Sequence, residues 1–321
     1  MEQGLVKNQR LRGYMYMAVY EFFGMVLFLV GINCSSNNPT VVALGLFIAA
    51  TLTGRLSGGH FNMAITFAVY CVEGKYRQNL PVACSVAFVD LLGAFTAMFI
   101  SIGMLGSDKT FTLIPPKEAN NTTFSYLMYL LVVEAFFTMI FVSTVLFVKY
   151  RRVSATTDGM LSNLTIAIGL FVVICMAGPL SGAGVNPTIA IAIITTDGVT
   201  YWFDANASNK GYFVFLFSYI LGPLIGGFLA SLVLRFSVFI SNESESVANI
   251  DVSQEKYEIG ASNSTIQDND GLAFDSERRN SNRGMTVLLD NHTSTKVTGS
   301  VASYMRKETG LDRRSARDYL S

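Results

Sequence analysis

Six stretches of the chain are apolar almost without interruption, near residues 14–32, 38–54, 81–105, 126–148, 160–178 and 212–238. A helix needs about 20 apolar residues to cross a bilayer, so each stretch predicts a membrane-spanning helix. Two shorter apolar pieces, 63–71 and 187–196, fall between the second and third spans and between the fifth and sixth. At about 1.5 Å per residue, each reaches only about half of the hydrocarbon thickness, which predicts re-entrant half-helices. The pattern therefore specifies an all-α membrane protein with six transmembrane helices and two half-helices.

The same pattern repeats. Ser-Gly-Gly-His-Phe-Asn-Met-Ala at 57–64 recurs as Ser-Gly-Ala-Gly-Val-Asn-Pro-Thr at 181–188, a shift of 124 residues. Glu21-Phe-Phe in the first span is paralleled by Glu134-Ala-Phe-Phe in the fourth, and Asp90-Leu-Leu-Gly-Ala in the third by Tyr219-Ile-Leu-Gly-Pro in the sixth. Each repeat, about 14–105 and about 126–238, carries three spans. Three is odd, so the second repeat enters from the opposite face, and the expected architecture is an inverted repeat.

Composition adds a boundary. Only 14% of residues are charged, against about 25% in soluble domains, and mean hydropathy is +0.41. The deficit is local: residues 1–240 hold 10 acidic and 13 basic residues, while 241–321 hold 13 and 10. This divides the chain into a short N-terminus (1–13), a membrane body (14–240) and a polar, Ser- and Asn-rich tail (241–321) expected to be disordered. The first apolar run is long enough to span and reads as a signal anchor, not a cleaved leader. Ten Lys and Arg residues fall in the loops of one side, from Lys7 to Arg235, and three, Lys109, Lys117 and Lys210, on the other. Positive charge favours the cytoplasmic side, so both termini are expected there. The glycosylation triplets beginning at Asn120, Asn121 and Asn206 then fall outside. Arg-rich segments before Ser154, Ser281 and Ser315 are candidate phosphorylation sites, whose plainer explanation is positive-inside charge beside serines.

Irregular backbone at membrane depth persists only where protein buries it or where it lines a watery cavity. The Gly-rich turns before Asn62 and Asn186 are such backbone. Each leads into a half-helix with unpaired N–H groups and a positive dipole end, and Asn is a favoured cap for them. The capping amide keeps its NH2 for a lumen, and the inversion brings both caps together near the midplane. Glu21 and Glu134 are carboxylates inside spans, which are functional by default.

With these residues in view, the chain resembles the aquaporin, or major intrinsic protein, family over roughly 14–240. The two octapeptides look like its paired Asn-Pro-Ala loops, here Asn62-Met63-Ala64 and Asn186-Pro187-Thr188, so Met63 replaces a proline and Thr188 an alanine. Met63 restores a donor and adds bulk expected to reshape the pore centre. The resemblance implies a homotetramer with a pore in each subunit, passing water or small neutral solutes such as glycerol, urea or ammonia. Two amide tips would orient a passing water so that its proton wire is broken. The resemblance places the outer selectivity filter at Val42, Ile174, Ala183 and Ile189, where the usual arginine and aromatic are both missing. It also implies that Glu21 and Glu134 brace the loops and that His60 lines the inner vestibule. Asp90 stands where Gln is usual. The sequence has no account of it.

Gly222 and Gly226 have the spacing of close helix packing. Cys34, Cys71, Cys84 and Cys175 lie in or beside apolar stretches without metal-ligand spacing and read as buried thiols. No metal site, cofactor, nucleophile–base pair or nucleic-acid feature is expected. The partners expected are the bilayer, further copies of the chain and the permeants, in a plasma or vacuolar membrane. Two other readings share the architecture: a secondary transporter, and a low-flux junctional or scaffolding protein.

Overall fold

The structure is a computed structural model that describes residues 2–116, 121–151, 153–202 and 213–267, with side chains described inside 12–200 and 213–242. Eight helices follow one another: α1 (Glu2–Cys34), α2 (Pro39–Ser57), α3 (Met63–Glu73), α4 (Tyr76–Leu105), α5 (Phe124–Lys149), α6 (Gly159–Ser181), α7 (Pro187–Trp202) and α8 (Phe213–Gln267). Among the described residues there is no strand. Six helices are long and apolar enough to cross a membrane, and α3 and α7 are the short ones.

Local chemistry sets the helix ends. Asn38 caps α2 by accepting from the N–H groups of Thr40 and Val41, with Pro39 in the first turn where its missing N–H costs nothing. Asp158 caps α6 through Leu161. Gly58 and Gly182 end α2 and α6 at φ 101° and 89°, a left-handed conformation that turns the chain back toward the half-helix that follows.

Four boundaries differ from expectation. α1 begins at Glu2, so the N-terminal segment expected at 1–13 is helical from that residue, in keeping with its Glu, Gln, Leu, Lys and Arg content. α4 begins five residues before Pro81, and α6 continues through Pro179 to Ser181. Membrane helices tolerate such prolines because neighbouring groups satisfy the freed carbonyls. α8 is helical to Gln267, past the expected end of the sixth span at 238. The compact membrane unit ends at Val238, and a second unit begins at Phe239. Residues 268–321, with Ser281 and Ser315, lie outside those described.

The two halves pack alike. α1 contacts α2 and α4, α5 contacts α6, and α2 meets α6 across the pseudo-twofold axis. A Cβ on Gly93 of α4 would lie 2.9 Å from the Phe22 carbonyl of α1, and one on Gly222 of α8 would lie 2.7 Å from the Leu131 carbonyl of α5. A Cβ on Gly226 would come within 2.4 Å of the Ala135 carbonyl, so the Gly222/Gly226 pair is the seam where α8 approaches α5 backbone to backbone. Gly227 does the same for α3, where a Cβ would meet the Ala64 carbonyl at 2.6 Å. This last contact seats the first half-helix against α8.

The cysteines correct an expectation. Cys34, Cys84 and Cys175 are exposed on the surface of the chain and Cys71 is half-buried. Lipid is as apolar as a protein core, so an apolar run does not reveal which of its positions face inward.

Candidate functional site

The half-helices start where their caps are. Asn62 Oδ1 accepts from the Ala64 N–H at 2.8 Å, and Asn186 Oδ1 accepts from Thr188 at 3.0 Å and Ile189 at 3.4 Å. Each cap also reaches the other loop. Asn62 Nδ2 donates to the Val185 carbonyl at 3.0 Å, and Asn186 Nδ2 donates to the Phe61 carbonyl at 2.8 Å. Phe61 and Val185 are the residues just before the two caps, and both are left-handed, at φ 46° and 34°. That conformation is unusual for non-glycine residues, and for a β-branched valine it is an outlier. It leaves their carbonyls as acceptors for the opposite amide. The expectation of two NH2 groups free for a lumen is thus half met: an amide has two N–H donors, and one on each cap is taken by this reciprocal latch.

The two departures from the usual loop residues meet each other. The Met63 N–H, which a proline would lack, donates to Thr188 Oγ1 at 3.0 Å, a group an alanine would lack. Thr188 is fully buried. Neither residue borders the cavity described below, and the N–H that Met63 restores is taken up by the latch. Thr188→Ala is expected to orphan the Met63 N–H and destabilise the protein by about 1–3 kcal/mol. Met63→Pro with Thr188→Ala should recover most of that loss. Thermal unfolding in detergent checks this, and additive effects of the two substitutions would refute the coupling.

Both loops are pinned from behind by carboxylates at zero exposure. Glu134 accepts from Ser181 Oγ at 2.7 Å, Gly184 N–H at 2.9 Å and Val185 N–H at 2.7 Å. Glu21 accepts from His60 N–H at 2.8 Å and Ser57 Oγ at 3.1 Å. The pairing Glu21–Ser57–His60 and Glu134–Ser181–Gly184 follows the sequence repeat position by position. Behind the second loop Tyr219 donates its hydroxyl to the Ser181 carbonyl. Its counterpart behind the first loop is Asp90, fully buried, with the Glu21 carboxyl group as a neighbour. Neither Asp90 oxygen makes a hydrogen bond of good geometry among the described residues, and its contact with the Asn62 N–H is a weaker one.

In front of the latch runs a cavity bordered by both caps, His60, Lys149, Val42, Ile174, Ala183 and Ile189. Its walls are stripes at helical spacing: Val42, Leu46 and Ala50 on α2, Phe141, Val145 and Lys149 on α5, and Ile166, Leu170 and Ile174 on α6. Residues four apart share one helix face, so each stripe makes a continuous wall about 12 Å long, apolar except for Lys149 at the end of the α5 stripe. The four positions that the resemblance assigned to the filter thus border one space, and that space carries no aromatic–arginine pair. Ile189 is buried in the first turn of α7, and Ala183 sits at φ 56° in the turn before it. His60 Nδ1 lies 3.0 Å from Thr66 Oγ1, and Lys149 Nζ donates to the Gly58 carbonyl.

The sequence reading missed the α5 stripe, although Phe141, Val145 and Lys149 stand at an i, i+4, i+8 spacing. Every second apolar position of a membrane helix competes with that signal. Of the candidate modification sites, Ser154 follows α5 with its hydroxyl 2.8 Å from the Val148 carbonyl and 2.7 Å from that of Thr156. Asn121 accepts from the Thr123 hydroxyl at 2.7 Å. Asn120 and Asn206 lie outside the described residues.

Six spans, two half-helices joined tip to tip and a narrow lumen beside them define an integral multi-pass membrane channel of the inverted-repeat kind. The description "Major intrinsic protein" matches residues 16–234. Aquaporin-8 of Rattus norvegicus is 31% identical over 247 residues, covering 72% of this chain and 83% of its own length. The lens fiber major intrinsic protein of Oryctolagus cuniculus is 30% identical over 209 residues, covering 62% and 68%. The aquaglyceroporin from Plasmodium falciparum shares the fold at a TM-score of 0.56 and 15% identity, over 68% of this chain and 94% of that one. This chain belongs to the major intrinsic protein family. It is a channel for water or small solutes and not an enzyme.

Proposed function

We propose that each chain forms its own pore for water and small neutral solutes, with glycerol, urea and ammonia in the size range, and that protons and cations are excluded. The reading rests above all on the reciprocal Asn62–Val185 and Asn186–Phe61 bonds at the wall of an apolar lumen. The caps anchor two helix N-termini whose positive ends face each other, which opposes cations, and the remaining amide hydrogens bind a passing water by its oxygen. Val42, Ile174, Ala183 and Ile189 make the constriction apolar and uncharged, which admits larger neutral molecules than an arginine would. Four copies assemble as a homotetramer, in keeping with the family and with the apolar outer faces of α1, α2, α4, α5 and α6. Both termini lie in the cytoplasm, and the host membrane is the plasma membrane or a vacuolar one.

Stopped-flow swelling of proteoliposomes with water, glycerol, urea and ammonia tests the proposal. The expected flux is non-saturating, with a low activation energy, and exceeds that of protein-free vesicles. Saturating flux with a high activation energy would instead identify a secondary transporter.

A further inference from the structure

The lumen has an apolar, uncharged constriction at its Ile189 end. Among the described residues that border the lumen, Lys149 is the one with a formal charge, and it stands at the opposite mouth. Three observations place it there for a purpose other than topology. It continues the α5 wall stripe of Phe141 and Val145, four residues further on, so the helix itself turns it inward. Its ammonium is anchored to the Gly58 carbonyl, in the turn that leads into the first half-helix, 91 residues away. As the last residue of α5 it also lies at the negative end of that helix, where a cation is favoured.

We propose that Lys149 is the charge-selecting residue of this pore. It places a fixed positive charge at the mouth and takes over, from the opposite end, the cation-repelling part that Ile189 leaves vacant. The proposal rests on the channel reading above and deepens it. In a lumen with low-dielectric walls, a single fixed charge acts on an ion over a longer range than in water. Cations approaching from this mouth meet the ammonium first and the paired half-helix ends next, two barriers of the same sign in series. Neutral solutes feel neither. Glu21, behind the loop and bonded to His60 N–H and Ser57, offsets part of the field in its ionised form but does not border the lumen. His60 does border it and adds no second fixed charge in its neutral form.

The test uses the full-length protein in proteoliposomes, with sodium entry measured beside osmotic water flux. Lys149→Gln keeps a donor for the Gly58 carbonyl and removes the charge. Its ratio of sodium to water permeability is expected to rise at least tenfold over the wild type. Lys149→Glu should raise it further, and Lys149→Arg should restore the wild-type ratio. An unchanged ratio in both Lys149→Gln and Lys149→Glu overturns the proposal while leaving the channel intact. A wild-type protein without water or solute flux above protein-free vesicles overturns the channel reading and this proposal together. If Lys149→Gln does not fold, Lys149→Arg against Lys149→Glu decides the matter, because both keep a long polar side chain and differ in sign.

Discussion

Glu134→Ala should yield proteoliposomes whose water and solute flux matches that of empty vesicles. The carboxylate accepts three hydrogen bonds, from Ser181, Gly184 and Val185, at a site with no access to solvent. Each orphaned donor costs about 1–3 kcal/mol, so the substitution costs about 3–9 kcal/mol before relaxation. Partners found by the unfolded chain inside the membrane draw the figure toward the low end. Even so, the loss falls on the turn that carries Val185, whose left-handed backbone and carbonyl hold the Asn62 latch. Two other bonds to this turn, from Tyr219 to the Ser181 carbonyl and from Asn62 to the Val185 carbonyl, hold its carbonyls and leave the Gly184 and Val185 N–H groups to Glu134. Glu134→Gln should fall between, because it keeps one acceptor oxygen but sets an NH2 donor against an N–H. Glu21→Ala should cost less, since that carboxylate accepts two bonds, from His60 and Ser57. Flux per unit of folded protein and thermal unfolding in detergent measure the effects. Wild-type flux with an unchanged unfolding temperature in Glu134→Ala would remove the brace from the mechanism.

Ile189→Arg is expected to lower the ratio of glycerol to water permeability by at least tenfold. Ile189 borders the lumen beside Val42, Ile174 and Ala183, and its N–H is already held by Asn186 Oδ1. An arginine there keeps that backbone bond while it places a longer side chain and five donors into the constriction. Water, small and able to accept from those donors, continues to pass. Glycerol and urea must fit past the guanidinium and lose space. Stopped-flow swelling with each permeant gives the ratio, and an equal reduction for all permeants would show that Ile189 does not line the limiting ring.

The sequence announced this architecture through residues whose chemistry is local. Asn62 and Asn186 mark the half-helix starts because a cap acts on the next two or three residues. Gly58 and Gly182 end helices for an equally local reason. The inversion was legible because three paired motifs recur in one order. Contacts between the halves were not. Thr188 and Met63 are 125 residues apart, and each read alone is only a departure from a motif. Lys149 read as one of ten positive-inside charges until the α5 stripe brought it to the lumen. The cysteines were misplaced because apolar sequence is the same toward lipid and toward protein. The continuation of α8 to Gln267 was invisible to hydropathy, since a polar helix differs little in composition from a polar tail.

The crossed amide bonds also bear on how the molecule comes into being. Phe61 and Val185 hold an uncommon backbone angle, and each gains its acceptor bond only from the partner half. During synthesis the first three spans emerge with their turn held by Glu21 alone, and the crossed bonds wait until the fifth span and its loop have entered the membrane. The two halves thus mature as one cooperative event, each serving as the other's template.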